Sequence, residues 1–83
     1  MTYQYTYTNN YIKRLERPLT KFEKDFCDWL NEVERIVFNK ISVPLLDLED
    51  ELYMINFEHH MTTQKMAKIV LEHYQEYCDS FLN

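Results

Sequence analysis

Thr20-Lys21-Phe22-Glu23-Lys24-Asp25-Phe26-Cys27-Asp28-Trp29-Leu30-Asn31-Glu32-Val33-Glu34-Arg35-Ile36-Val37 is the stretch that decides the fold class. It opens on a capping box, in which the Thr20 hydroxyl is spaced to accept from the Glu23 amide and the Glu23 carboxylate to reach back to the Thr20 amide. Downstream, Phe22, Phe26, Trp29, Leu30, Val33, Ile36 and Val37 stand at offsets 0, 4, 7, 8, 11, 14 and 15. That is one face of a 3.6-residue period held for about four turns. The spacing predicts a helix over 20 to 40. Ser42-Val43-Pro44 ends it, because proline has no amide and disfavours helical geometry in the residue before it.

Further along, Asp47-Leu48-Glu49-Asp50-Glu51 reads as the opening of a second helix, with Asp47 as N-cap and acids where the positive end of the dipole favours them. Leu48, Leu52 and Ile55, with Tyr53 and Met54 beside them, are expected to face inward until the helix stops near Glu58. His60 then takes the left-handed position that glycine ordinarily fills, in a chain that contains no glycine. A third helix over 62 to 81 starts on Thr62 as N-cap, with Met61 and Met66 placed as a hydrophobic staple. Met66, Ile69, Val70, His73, Tyr74, Tyr77 and Phe81 continue its stripe. The core expected from the three helices is Phe22, Phe26, Trp29, Leu30, Val33, Ile36, Val37, Leu48, Leu52, Ile55, Phe57, Met66, Ile69, Val70 and Tyr74.

Residues 1–19 differ in kind. Tyr3, Tyr5 and Tyr7 alternate with Thr2, Gln4, Thr6 and Thr8, and period-2 aromatics with threonine between them favour an extended strand. Asn9-Asn10 suits the positive-φ positions of a tight turn from which Tyr11 to Glu16 would pair back as a hairpin. The alternative is that Asn9 or Asn10 caps a short helix ending before Pro18. The expected architecture is mostly α: a compact three-helix domain over 20–83, preceded by an extended, Tyr-rich N-terminal arm over 1–19 that forms a short strand or hairpin.

Composition removes several function classes. At 83 residues, 46% hydrophobic and 28% charged, the chain is one small domain, of a size that buries only roughly 60% of its unfolded surface and leaves little for a deep catalytic cleft. Without glycine there is no phosphate-cradling loop, dinucleotide fingerprint or nucleophile elbow, since each needs a residue lacking a side chain. Cys27 and Cys78 have no short-spaced thiol partner, which points to a reduced, intracellular setting. No apolar run approaches the roughly 20 residues of a membrane span, and Met1-Thr2-Tyr3-Gln4-Tyr5 lacks the basic start and apolar stretch of a signal peptide.

Trp29, Val33-Glu34, Ile36, Leu46-Asp47-Leu48-x-Asp50, Tyr53, Phe57-Glu58, Met61-Thr62 and Ala67 form a string that resembles a group of small uncharacterised three-helix proteins of phages and integrative mobile elements. The likeness covers residues 26 to 72. It departs from the group's pattern at Glu49, where the group has proline, and at His60, where it has glycine. The resemblance implies a fold, a mobile-element origin and a place in the cytoplasm of a host cell, but no reaction.

Chemistry separates the candidate sites. Asp47, Glu49, Glu51 and Glu58 match positions 1, 3, 5 and 12 of a calcium loop, yet Leu52 stands where that loop needs glycine, and a dipole-matched helix start accounts for the acids. Adjacent His59 and His60 point apart, and no three-ligand set has zinc spacing, so neither a metal nor another cofactor is expected. His73 reads as a hydrogen-bonded residue at the core edge. Catalysis by Cys27 needs a thiolate, which a helix interior beside Asp28 disfavours, so no enzymatic activity is expected. The Thr62-Thr63-Gln64-Lys65 start is like that of a helix-turn-helix. Against direct nucleic-acid binding stand the net charge of −5 and a segment, 41 to 60, with acids at 47, 49, 50, 51 and 58 and no lysine or arginine.

The acids themselves carry the most information. Asp25, Asp28 and Glu32 lie at offsets 0, 3 and 7, and Glu72, Glu76 and Asp79 at 0, 4 and 7, so each set forms one line along its helix. The second set crowds a helix C-terminus, where the dipole opposes it, so local stability does not account for it. The plain reading is solubility. The functional reading is a module whose carboxylate rows imitate a phosphate backbone before a host protein with a basic surface, as a DNA-mimic inhibitor of a host nucleic-acid-handling or defence enzyme. Tyr3, Tyr5 and Tyr7 complete the candidate contacts. Extended, they would add a strand to a partner or to a second copy, which gives the alternative expectation of a structural protein that self-associates through its arm.

Overall fold

The computed structural model describes residues 5–82. These form four helices, α1 (Thr6–Leu15), α2 (Lys21–Ile41), α3 (Tyr53–Glu58) and α4 (Thr63–Leu82), with a 3-10 turn at Leu45–Asp47 and no strand among the described residues.

Helix α2 forms where its local signals place it. Thr20 Oγ1 accepts from the Glu23 amide at 3.2 Å, and Glu23 Oε1 accepts from the Thr20 amide at 2.9 Å. Arg17 adds a forked pair to the same carboxylate, 2.7 Å from each nitrogen. The helix ends on Ser42, left-handed at φ 57°, whose amide donates to the Phe38 carbonyl at 2.8 Å. Helix α4 likewise starts after Thr62, whose Oγ1 accepts from the Lys65 amide at 3.2 Å. His60 is left-handed at φ 61°, as the chain's lack of glycine requires of some other residue there.

The arm departs from expectation. The strand and hairpin readings for Tyr5 to Glu16 are overturned by α1, which also runs through Asn9 and Asn10 so that neither caps it; Tyr3 lies outside the described residues. Helix α1 packs antiparallel on α2, its Tyr11 ring edge-on to Phe26 at 5.4 Å and its Tyr7 ring edge-on to Tyr53 at 5.2 Å. Tyr7, buried Thr8 and Tyr11 stand at positions 0, 1 and 4, which share a face on a helix and not on a strand. Tyr5 at its N-cap makes no side-chain cap bond. Instead the fully buried Glu34 of α2 accepts from the Tyr7 amide at 3.2 Å, satisfying an orphan donor at the positive end of the α1 dipole.

The second predicted helix is also corrected. Asp47 ends a 3-10 turn instead of capping a helix, Leu48 is extended, and α3 begins only at Tyr53. In a helix Asp47 and Glu51 would face each other as like charges at i, i+4. On the irregular chain, consecutive side chains diverge: Asp50 accepts from the Tyr7 hydroxyl of α1 at 2.6 Å, while Glu51 meets His73 of α4.

The connection after α2 travels back along it, bringing Phe57 to 5.4 Å from both Phe22 and Phe26 and the Met61 carbonyl to 2.8 Å from Trp29 Nε1. Helix α4 therefore sets out from beside Trp29 and runs parallel to α2. The core comprises Phe26, Leu30, Val33, Val37, Leu45, Tyr53, Met66, Ala67 and Val70, with Trp29, Ile36, Leu48, Phe57 and Ile69 packed at its edge. Phe22, Leu52 and Ile55, expected inside, are 48%, 66% and 50% exposed. The late start of α3 turns Leu52 and Ile55 outward, and Phe22 stands on the first turn of α2.

Candidate functional site

Parallel packing decides where the acidic rows lie. Asp25 and Asp28 are exposed and Glu32 half-exposed on the N-terminal half of α2, while Glu72, Glu76 and Asp79 are exposed toward the C-terminal end of α4. Ile36 and Lys40 line a groove with Leu71 and Gln75, so Glu72 is level with the end of α2. At 1.5 Å per residue, Glu32, the near end of the first row, and that level are separated by about 12 Å along the helix pair. The rows are offset along the helices instead of lying side by side.

Some of these acids are already engaged. Glu32 pairs with Arg35, which with its hydrogen bonds holds the Glu32 carboxyl below the usual carboxylate range. Glu72 lies 4.0 Å from Lys68, and Asp79 accepts from Gln75 Nε2 at 3.0 Å. Asp25, Asp28 and Glu76 have no ion pair among the described residues. Of the tyrosines, Tyr7 is committed to the fold: burial and the hydrogen bond to Asp50 push its hydroxyl well above the ordinary tyrosine range. Tyr5 is half-buried at the α1 N-cap, where it is not extended for strand addition.

A third acidic element, hidden from sequence reasoning, arises because residues 47–51 leave the helix. They form one side of a cleft of about 400 Å³ closed on the other by α4. Val43, Leu48 and Val70 supply its apolar surface and Tyr74 and Tyr77 its aromatic surface. Asp47, Glu49, Glu51 and His73 supply the charge, with no lysine or arginine in the lining. His73 Nδ1 is 2.5 Å from Glu51 Oε1. That hydrogen bond and the Glu51 charge raise the His73 pKa above its ordinary value, with partial desolvation opposing and the Glu76 and Glu49 charges adding. Asp47 and Glu49 are exposed and make no side-chain hydrogen bond or ion pair among the described residues. No local signal marked it, because the acids from Asp47 to Glu51 suit the first turn of a helix equally well.

Cys27 is buried, and burial pushes its thiol up, with Asp28 and Glu23 adding to the shift. That is the unreactive form of a cysteine. Among the described residues no group of three or more His, Cys, Asp or Glu is placed to hold a metal ion, and no helix is long and apolar enough to cross a membrane. No family model, curated protein or solved structure matches the chain.

Proposed function

We propose that this chain is a non-enzymatic, acidic protein-binding module that sets exposed carboxylates against a basic surface of a partner protein. The observation that carries the reading is the set Asp25, Asp28, Asp47, Glu49 and Glu76, all exposed and none within ion-pair reach of the chain's own cations among the described residues. Unmatched like charges at helical spacing cost about 0.2–0.5 kcal/mol per pair, an amount a basic partner more than offsets. The likeness to small phage and mobile-element proteins favours a partner in a host cell, of the class of nucleic-acid-handling or defence enzymes whose clefts already accept polyanions. Scaffolding by strand addition through Tyr5 and Tyr7 is disfavoured by their place in and beside α1.

The test is charge reversal on a partner captured with the native chain and then identified. Association should weaken as salt rises past about 0.15 M, where the screening length is roughly 8 Å. Glu72→Lys with Glu76→Lys and Asp79→Lys, or Asp25→Lys with Asp28→Lys, should abolish it. A lysine at position 79 complements the α4 dipole, whereas one at 72 gives up the contact with Lys68 and faces it at i, i+4, so a melting curve of each isolated variant separates lost binding from lost folding. Native affinity in both reversed variants would return the rows to the status of solvated surface.

A further inference from the structure

We infer that the cleft between residues 43–51 and α4 is the seat of an arginine side chain presented by a basic protein segment. The inference rests on the reading of a basic protein partner and names where that partner is held.

Four features of the cleft converge on this occupant. Its volume of about 400 Å³ falls within the range, roughly 300–1,000 Å³, of pockets that enclose small ligand groups. Its apolar surface, Val43, Leu48 and Val70, suits the methylene stem of a long side chain. Tyr74 and Tyr77 put aromatic side chains in the lining, the kind of surface on which a planar cation stacks. Asp47 and Glu49 supply carboxylates that make no ion pair among the described residues. A guanidinium fits this combination better than an ammonium, because it is planar, weakly hydrated and forks to carboxylates while lying on an aromatic face.

The acidic side of the cleft is held in place before any partner arrives. The Asp47 amide donates to the Pro44 carbonyl at 3.0 Å and the Leu48 amide to the Leu45 carbonyl at 3.1 Å. Asp50 is fastened to Tyr7 of α1 and Glu51 to His73 of α4. A preformed site loses less ordering entropy on binding. Glu51 and His73 thus serve as fastening, and Asp47 and Glu49 remain for the ligand.

Titrating the ¹⁵N-labelled full chain with N-acetyl-arginine methylamide, and in parallel with its neutral isostere N-acetyl-citrulline methylamide, tests the inference. The arginine compound should shift amides of residues 43–51 and 70–77 in a saturable way, with the citrulline compound about tenfold weaker. Asp47→Asn with Glu49→Gln, both at exposed positions, should weaken arginine binding by a similar factor and leave the rest of the spectrum unchanged. Equal response to the two compounds, no saturable response, or shifts at Asp25 and Asp28 as large as those in the cleft would overturn it. So would movement of the same amides with protein concentration alone, which would mean that a second copy occupies the cleft. Should the cleft fail while row reversal still abolishes partner binding, only this inference falls. Should the cleft respond while the partner ignores both row reversal and salt, the functional reading falls instead.

Discussion

Helix α2 begins at a capping box made by two residues three apart, whereas α1, packed against it, begins without a side-chain cap and borrows its acceptor from Glu34, 27 residues from Tyr7. The two differ as much in composition. The ten residues of α1, Thr-Tyr-Thr-Asn-Asn-Tyr-Ile-Lys-Arg-Leu, are rich in β-branched, aromatic and backbone-competing side chains. A helix of that length and content is marginal alone. Helix α2 holds its conformation through local signals, and α1 through a buried carboxylate and two ring contacts on its neighbours. One chain thus contains a helix written locally and a helix written at long range, and perturbations should tell them apart.

The largest effect is expected at Trp29, the joint between α2, α3 and the start of α4. It packs at 6.1 Å from Phe26 and 5.5 Å from Phe57 and donates to the Met61 carbonyl. Trp29→Ala should cost about 3–5 kcal/mol, enough to unfold a domain of this size. Circular dichroism of the variant should show residual helix from α2 alone, and an unchanged melting curve would break the assignment of the joint. Glu34→Ala should cost about 2–3 kcal/mol, because it strands the Tyr7 amide and opens a void. The loss should be regional: hydrogen exchange of residues 6–15 should accelerate far more than that of 24–37. Uniform acceleration would show that α1 does not depend on Glu34 in particular.

Thr20→Ala sharpens the other side of the comparison. It removes one acceptor from the capping box at a cost of about 1 kcal/mol, and the loss of protection should be confined to the first turn of α2. The smallest effect belongs to the solvent-facing pair that fastens the acidic connection. The folded pKa of His73 lies above its unfolded value, so protonation favours the native state. The stabilisation is fully present below about pH 6.5, the ordinary histidine value, and is lost as pH rises through the higher folded pKa. Thermal melts of the native chain should decline slightly across that window, while His73→Gln should be flat. A native chain as flat as the variant would mean that the contact contributes nothing to stability.

Legibility followed the same division. The ends of α2, the Thr62 start of α4, the left-handed His60 and most of the apolar face from Phe26 to Val37 were open to reading, since each depends on residues within a few positions of one another. Glu34 was not legible as a buried residue, because its burial depends on what lies across from it. For Glu34 that is α1, whose alternating tyrosines suggested a strand. The acidic rows were legible as rows, but not their separation, which follows from the direction in which α4 sets out after Met61.

The sequence by itself determined a mostly helical chain, two long helices with their boundaries, a turn that must be left-handed without glycine, and an excess of surface carboxylate. Those properties arise from hydrogen bonds and side-chain spacings that close within one or two turns. Only the tertiary structure decided that the N-terminal segment is a helix, that Asp47 to Leu52 is not, and that the acids and tyrosines of two distant segments share a cleft. Each of those outcomes turns on a partner far along the chain: Glu34 for the Tyr7 amide, Tyr7 for Asp50, His73 for Glu51. The part-buried Tyr7 amide must find its acceptor wherever packing puts one, whereas the contacts of Asp50 and Glu51 lie at the surface and fasten a connection whose path the packing of its neighbours sets.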